Sequence, residues 1–268
     1  MNNYFHKISF FFSELFAFGL KEARACIFAG SFFVLLFLSN HIPLFGLPRY
    51  DFLFIASVLI QIILYLSKIE TKDEIKVICL FHFIGLLLEL YKTHPLIGSW
   101  SYPEFSYLRI GSVPLYSGFM YAAVGSYICQ AWRIFDLSLN DNKHYKKSII
   151  LCILIYLNFF TNHFIPDLRF FLISGVIILF WKIKVYFTVT EKVYYMPVSI
   201  SFLLIAFFIW LAENICTFYG AWKYSYQLTN WEVVSLHKIT SWFLLVIISF
   251  IIVSNLKYSK KQLSLDKK

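Results

Sequence analysis

Charge is scarce in this sequence. Asp, Glu, Lys and Arg supply 15% of its 268 residues, against about 25% in soluble domains, and the outer faces of a soluble helical bundle would need many more. Cysteine pairs are missing too. Cys26, Cys79, Cys129, Cys152 and Cys216 form no CxxC, and their place in or beside apolar runs reads as small buried hydrophobes. There is no HExxH, EF-hand loop, GxSxG, Walker A or dinucleotide fingerprint, which disfavours ordinary nucleotide-driven chemistry and assigns nothing in its place. Residues 1–20 carry Phe throughout and no clear small-x-small cleavage site, so a cleavable signal peptide is not expected.

Apolar residues fill the space that charge leaves. They make up 59% of the chain and lie in long blocks, and a bilayer-spanning helix needs about 20 mostly apolar residues. The blocks predict an all-α, polytopic membrane protein of about eight transmembrane helices, near 23–39, 50–67, 75–91, 113–134, 147–163, 168–187, 197–215 and 236–255. They form a single membrane domain over 1–268. Residues 4–20 are apolar but interrupted by His6, Lys7 and Glu14, and read as an interfacial helix or packed arm.

The net charge of +9 does not point to nucleic acid, because the basic residues collect in alternate loops and form no recognised nucleic-acid-binding motif. With eight crossings, six of the 24 Lys and Arg residues (Arg49, Lys92, Arg109, Arg169, Lys223, Lys238) fall on one side and the rest on the other. The fuller side includes Lys7, Lys143 and the tail lysines Lys257, Lys260, Lys261, Lys267 and Lys268. The positive-inside rule then places both termini in the cytoplasm of a bacterial plasma membrane.

Two pieces of sequence recur. Asn40-His41-Ile42-Pro43 is echoed by Asn162-His163-Phe164-Ile165-Pro166, with the histidines 122 residues apart. Glu89 followed by Gly98-Ser99-Trp100-Ser101-Tyr102 is echoed by Glu213 followed by Gly220-Ala221-Trp222-Lys223-Tyr224, with the glutamates 124 and the tryptophans 122 apart. The common offset predicts a tandem duplication, 23–134 and 147–255, as two parallel four-helix repeats.

The echo also marks a candidate polar layer. Glu89 and Glu213 sit in or near a bilayer boundary, where a lone carboxylate is costly, so partners or an aqueous cavity are expected. His41, Asn162, His163 and His237 are available at similar depth. His82, seven residues before Glu89, shares its helix face, and a His–Glu pair can shuttle protons or hold a ligand or metal. The connection 92–114 adds His94, Trp100, Tyr102, Glu104 and Arg109 among Pro and Gly, a composition that fits a fixed turn folded over helix ends or an interfacial aromatic belt. Glu104 and Arg109 can pair or bind a polar headgroup. Ligation by His41, His82, His94, His163 and the two glutamates is conceivable without being specified, and no cofactor or oligomeric state is indicated. Gly118, Ala122, Gly125, Ser126 and Cys129 give the fourth helix a small-residue face suited to close packing. Arg133 and Asp136 are spaced to pair locally.

The runs His82-Phe83-Ile84-Gly85 to Glu89, Lys92-Thr93-His94, Gly98 to Glu104, Gly111-Ser112-Val113-Pro114-Leu115 and Ser117 to Tyr127 resemble the YoaT-like family of bacterial membrane proteins. That resemblance implies a multi-pass bacterial membrane protein and carries over no catalytic residues. The Glu to Gly-x-Trp-x-Tyr to Gly-Ser-Val-Pro order is also similar to bacterial carotenoid hydratases, which implies acid catalysis on an isoprenoid chain with Glu89 or Glu213 as proton donor.

Three functions follow as expectations. A small-solute or lipid-related transporter would use the acids for binding or coupling. An enzyme modifying a lipid or isoprenoid would use them as acid and base. A structural or assembly protein would use them to pack helices. The expected partners are the lipid bilayer and an apolar or amphipathic small molecule.

Overall fold

The computed structural model describes the backbone of residues 2–140 and 145–265, with side chains for 8–140 and 146–257. Among these, nine α-helices follow in order: α1 (Asn2–Ala25), α2 (Ile27–Leu38), α3 (Arg49–Leu66), α4 (Lys72–Lys92), α5 (Ser117–Ile134), α6 (Tyr145–Thr161), α7 (Arg169–Phe180), α8 (Val198–Phe218) and α9 (His237–Leu265). Local chemistry sets several starts. Pro48 and Pro197, extended in ψ, immediately precede α3 and α8. Thr71 and Glu74 cap α4 reciprocally, each side chain accepting from the other's backbone N–H.

Hydropathy locates the helices well but overstates how many can cross a membrane. Among the described residues, three are long and apolar enough: Arg49–Leu66, Val198–Phe218 and His237–Lys257. The expectation of about eight spans is therefore corrected to three candidates. The reasons are local. α2 and α7 are apolar but have 12 residues each, about 18 Å at 1.5 Å per residue against a hydrocarbon core of roughly 30 Å. α4 carries Lys76, Glu89 and Lys92, and α6 opens on Lys146 and Lys147 within 17 residues. The predicted span 168–187 ends early, at Phe180. Its last residues form β4 (Lys184–Thr188), whose β-branched and aromatic side chains suit a strand; β4 pairs antiparallel with β5 (Val193–Pro197). The strand Ser138–Leu139 (β3) completes that sheet on the other side of β4. The smaller pair Arg109–Ile110 (β1) and Val113–Pro114 (β2) lies inside the 92–114 connection.

The charge count for both termini assumed eight crossings and does not transfer to this structure. Of the residues it used, Lys7, Lys143, Lys260, Lys261, Lys267 and Lys268 have side chains outside the described set, as does His6.

α9 is the axis of the main core. Val246, Ile247, Phe250 and Val253 pack against Phe202 and Ala206 of α8, Val77 and Phe81 of α4, Cys129 of α5 and Val176 of α7. A second core forms where α8 ends. There Leu36 of α2 and Tyr50 and Leu53 of α3 meet Tyr116, Ala221, Trp222 and Tyr224 from the connections. This second core seats the two echoed loops against the helices. Elsewhere the outer surface is strongly apolar, with Phe11, Phe12 and Phe16 of α1, Ile63 and Leu66 of α3, and Leu203 and Phe208 of α8 all exposed, as expected of surface that meets lipid. α1 itself is a helix that packs inward through Glu14, which is buried and accepts from Tyr194 (3.0 Å) and Thr190 beside β5.

The small-residue face of α5 packs closely on α4. Arg133 does not turn to Asp136; it pairs with Glu74 at 3.2 Å and donates to Ile69 O and Gln130. Asp136 sits in a left-handed turn just past α5 (φ 49°), which carries it off the helical i,i+3 geometry. Cys129, Cys152 and Cys216 are buried, whereas Cys79 is exposed.

Candidate functional site

Both echoed loops begin with a left-handed glycine, Gly98 at φ 56° and Gly220 at φ 71°, a conformation that other residues adopt at a cost. The loops then meet. Ser101 and Lys223, equivalent residues of the echo, exchange backbone N–H to O bonds in an antiparallel bridge, both 2.9 Å. Pairing of equivalent residues in opposite directions gives the two loops a local two-fold relation. In that register Trp100 lies across from Tyr224, their ring centroids 6.1 Å apart, and Tyr102 lies across from Trp222.

Each tyrosine then reaches back to the glutamate that precedes its loop. Tyr102 donates to Glu89 Oε2 at 2.7 Å, joined there by Trp100 Nε1 at 2.6 Å, while Tyr121 of α5 donates to Oε1 at 2.9 Å. Tyr121 lies across α4 because Gly85, one turn before Glu89, has no Cβ; one placed there would come within 2.5 Å of the tyrosine ring. At the second site Tyr224 donates to Glu213 Oε1, and Trp242 of α9 donates to Oε2 at 2.9 Å. Glu89 and Glu213 are 2% and 4% exposed. Each carboxylate thus has both oxygens engaged by O–H or N–H donors.

The two acids face one cavity of about 210 Å³, lined also by Lys92, Asn158, Asn162, His163, Arg169, Trp222 and Lys238. That exceeds the roughly 150 Å³ which accommodates benzene in an engineered protein core. A narrow apolar pocket of about 30 Å³ lies alongside, between Phe81, Ile84 and Leu88 of α4 and Ile209 of α8; it shares Tyr121, Trp242 and Leu245 with the larger cavity.

The cavity's cations are held by neutral groups more than by acids. Lys92, 4% exposed, donates to Phe159 O (2.8 Å), contacts His163 Nε2 (2.9 Å) and lies 4.1 Å from the Phe159 ring centroid. Lys238 rests between the rings of Tyr224 (4.4 Å) and Trp100 (5.3 Å). Among the described residues neither makes an ion pair. Only Arg169 does, with Asp167 at 3.0 Å. Burial, with Lys238 and Arg169 nearby, pushes the Lys92 ammonium down to about 8. Burial, then Lys92 and Lys238, likewise lowers His163, leaving its ring neutral and able to accept at Nε2.

Of the sequence candidates, Glu89, Trp100, Tyr102, Asn162, His163, Glu213 and Trp222 come together here. The others do not. His41 is exposed and stacks on Phe37. His82 packs on Phe119 with a buried, unpartnered Nδ1. His94 is exposed and accepts from Leu96 N–H. Glu104 pairs with Arg49 at 2.5 Å and not with Arg109, which lies over the Phe105 ring. His237 is exposed, and its carbonyl accepts from Arg169. Among the described residues no group of three His, Cys, Asp or Glu is placed to hold a metal. Sequence reasoning missed Tyr121, Trp242, Lys92, Arg169 and Lys238 as site residues. It also missed Asp51, which anchors the 92–114 connection by accepting from Ser106, Tyr107 and Leu108.

Residues 14–250 match a family described as protein of unknown function DUF817. The chain belongs to that family. It is 52% identical over 245 residues to the uncharacterized protein YoaT of Bacillus subtilis (strain 168), covering 91% of this chain and 92% of that protein. The resemblance seen in the loop and helix motifs is thereby established, and this DUF817 member is a membrane-associated bacterial protein. No solved structure matches it.

Proposed function

We propose that the protein is a plasma-membrane carrier that holds a small amphipathic molecule in the cavity between Glu89 and Glu213. One observation carries this reading: a chamber lined by buried charge lies beside a small apolar slot, and the two share walls at Tyr121, Trp242 and Leu245. The chamber suits a polar head, and the slot, with room for about one methylene, marks the apolar wall against which the start of a tail would lie. The echo supports the same reading, with residues 23–134 and 147–255 as related halves that meet at the Ser101–Lys223 bridge. Binding is favoured over acid catalysis because both oxygens of each carboxylate are already engaged by aromatic O–H and N–H donors.

The test uses protein in phosphatidylcholine nanodiscs, with Trp100, Trp222 and Trp242 as fluorescent reporters. Dodecyl amphiphiles should shift the emission of the wild type. Leu245→Trp, which fills the junction of the two pockets, should weaken binding at least tenfold while the circular dichroism stays helical. Equal binding by wild type and Leu245→Trp would rule out this cavity. Binding without exchange of a dodecyl probe across proteoliposomes would sink the carrier role.

A further inference from the structure

We infer that the ligand's polar head is an anionic oxygen group, a carboxylate or a phosphate, received by Lys92 and Lys238. This rests on the amphiphile reading above and adds the chemistry of the head. The argument is one of unmatched charge. A buried cation is normally paired, because an isolated one is expensive to keep from water. Lys92 is 4% exposed, yet its contacts are a carbonyl, an amide, an imidazole and an aromatic face. Lys238 is held by two ring faces, which attract a cation without neutralising it.

The cavity's acids meet this need only at a distance: Lys238 feels the attraction of Glu213 and Glu89, but among the described residues no carboxylate oxygen lies in ion-pair contact with either ammonium. Both oxygens of Glu89 and of Glu213 are engaged by aromatic N–H and O–H donors, and Asp167 is engaged by Arg169. The two ammonium groups face the same space from α4 and α9. A cationic head would meet both of them, whereas an anion between them would complete each. The aromatic clamps therefore act as positioning devices. They tie up the acids and hold the Trp100 and Tyr224 rings that seat Lys238.

The experiment measures binding to the full chain in phosphatidylcholine nanodiscs, using dodecanoate, dodecyl phosphate, dodecyl maltoside, dodecyltrimethylammonium and inorganic phosphate alone. Dodecanoate and dodecyl phosphate should bind at least tenfold more tightly than the neutral and cationic dodecyl compounds. Lys92→Gln and Lys238→Gln should each remove most of that preference. Lys92→Arg keeps the charge, should keep the preference, and separates loss of charge from loss of fold. The stronger of the two anionic amphiphiles identifies the head.

A dodecanoate titration adds a second readout, since the ligand's own charge is constant above neutrality. Lys92 is faced by Asn162 and His163 before α7, by Asp167 and Arg169 at its start, and by Lys238 from α9, with Glu89 one turn back on α4. Binding should fall as the pH rises through about 8, where Lys92 loses its proton, and Lys92→Arg should hold it to higher pH. Equal binding of all four dodecyl compounds overturns the anionic head and leaves the amphiphile reading standing. Inorganic phosphate binding as well as dodecyl phosphate keeps the anion and overturns the amphiphile. No binding by any probe overturns both.

Discussion

Glu89 and Glu213 hold equivalent places in the echo and are held unequally. Glu89 takes three donors, two of them on one oxygen. Glu213 takes two, one on each. Redundancy is therefore local to the first site, whereas at the second, among the described residues, each oxygen has one donor. The contrast shows that two similar loops can satisfy the same buried charge with different tolerance to loss.

The strongest way to break the comparison is to delete the acceptors. A buried donor left without a partner costs roughly 1–3 kcal/mol. Glu89→Leu orphans three donors and should destabilise by about 3 kcal/mol or more, while Glu213→Leu orphans two and should cost about 2 kcal/mol. Both glutamine variants should be far milder. Their carbonyl can keep the tryptophan bond, and the tyrosine hydroxyl beside the new amide can turn to accept. Thermal unfolding in micelles tests the order; Glu213→Leu unfolding earlier than Glu89→Leu would show that donor number is not what matters.

A smaller perturbation sharpens the same point and reverses the order. Tyr102→Phe leaves Trp100 on the shared oxygen of Glu89, so a loss under about 1 kcal/mol is expected. Tyr224→Phe strips Glu213 Oε1 of its donor, and a hydrogen bond to a charged group is worth about 2 kcal/mol. Both rings keep their aromatic contacts, edge-on for Tyr102 and partly stacked for Tyr224, which leaves the hydroxyl as the variable. Equal unfolding midpoints for the two phenylalanine variants would remove the claim of redundancy.

The loop-borne part of each clamp was legible in the sequence. Near-equal offsets, 124 for the glutamates and 122 for the aromatics, marked Trp100 and Tyr102 at Glu89 and Tyr224 at Glu213, whereas Trp222 shares the echo but does not donate to Glu213. Tyr121 and Trp242 were hidden, because an aromatic residue on an apolar helix reads the same whether it faces lipid or a carboxylate. Lys92, Arg169 and Lys238 were visible only as loop charges; nothing local distinguishes a topological lysine from one folded into a cavity. The helices themselves were legible because apolar periodicity persists over many residues. Their power to cross a membrane was not, since apolar content does not fix where a helix stops. Residues 168–187 are continuous in hydropathy yet divide into a 12-residue helix and a strand. Glu104 was read beside Arg109 in sequence, whereas its partner, Arg49, comes from the start of α3, 55 positions away.

The mildest comparison concerns the glycines that open the two loops. Both sit in the left-handed region, where a Cβ costs about 1–2 kcal/mol. A Cβ on Gly98 meets open space, and one on Gly220 reaches only ordinary contact with Arg49 Nη1 at 3.6 Å and Glu104 Oε1 at 3.7 Å. Backbone strain is then the sole term at either position, and Gly98→Ala and Gly220→Ala should lower stability by the same ~1 kcal/mol. Equal shifts would mean that the loops are interchangeable in backbone and differ only in what their side chains meet. A clearly larger loss at Gly220 would place part of the asymmetry in the Arg49 contacts to Tyr219 O and Gly220 O, which tie that turn to α3 and have no counterpart at Gly98 among the described residues.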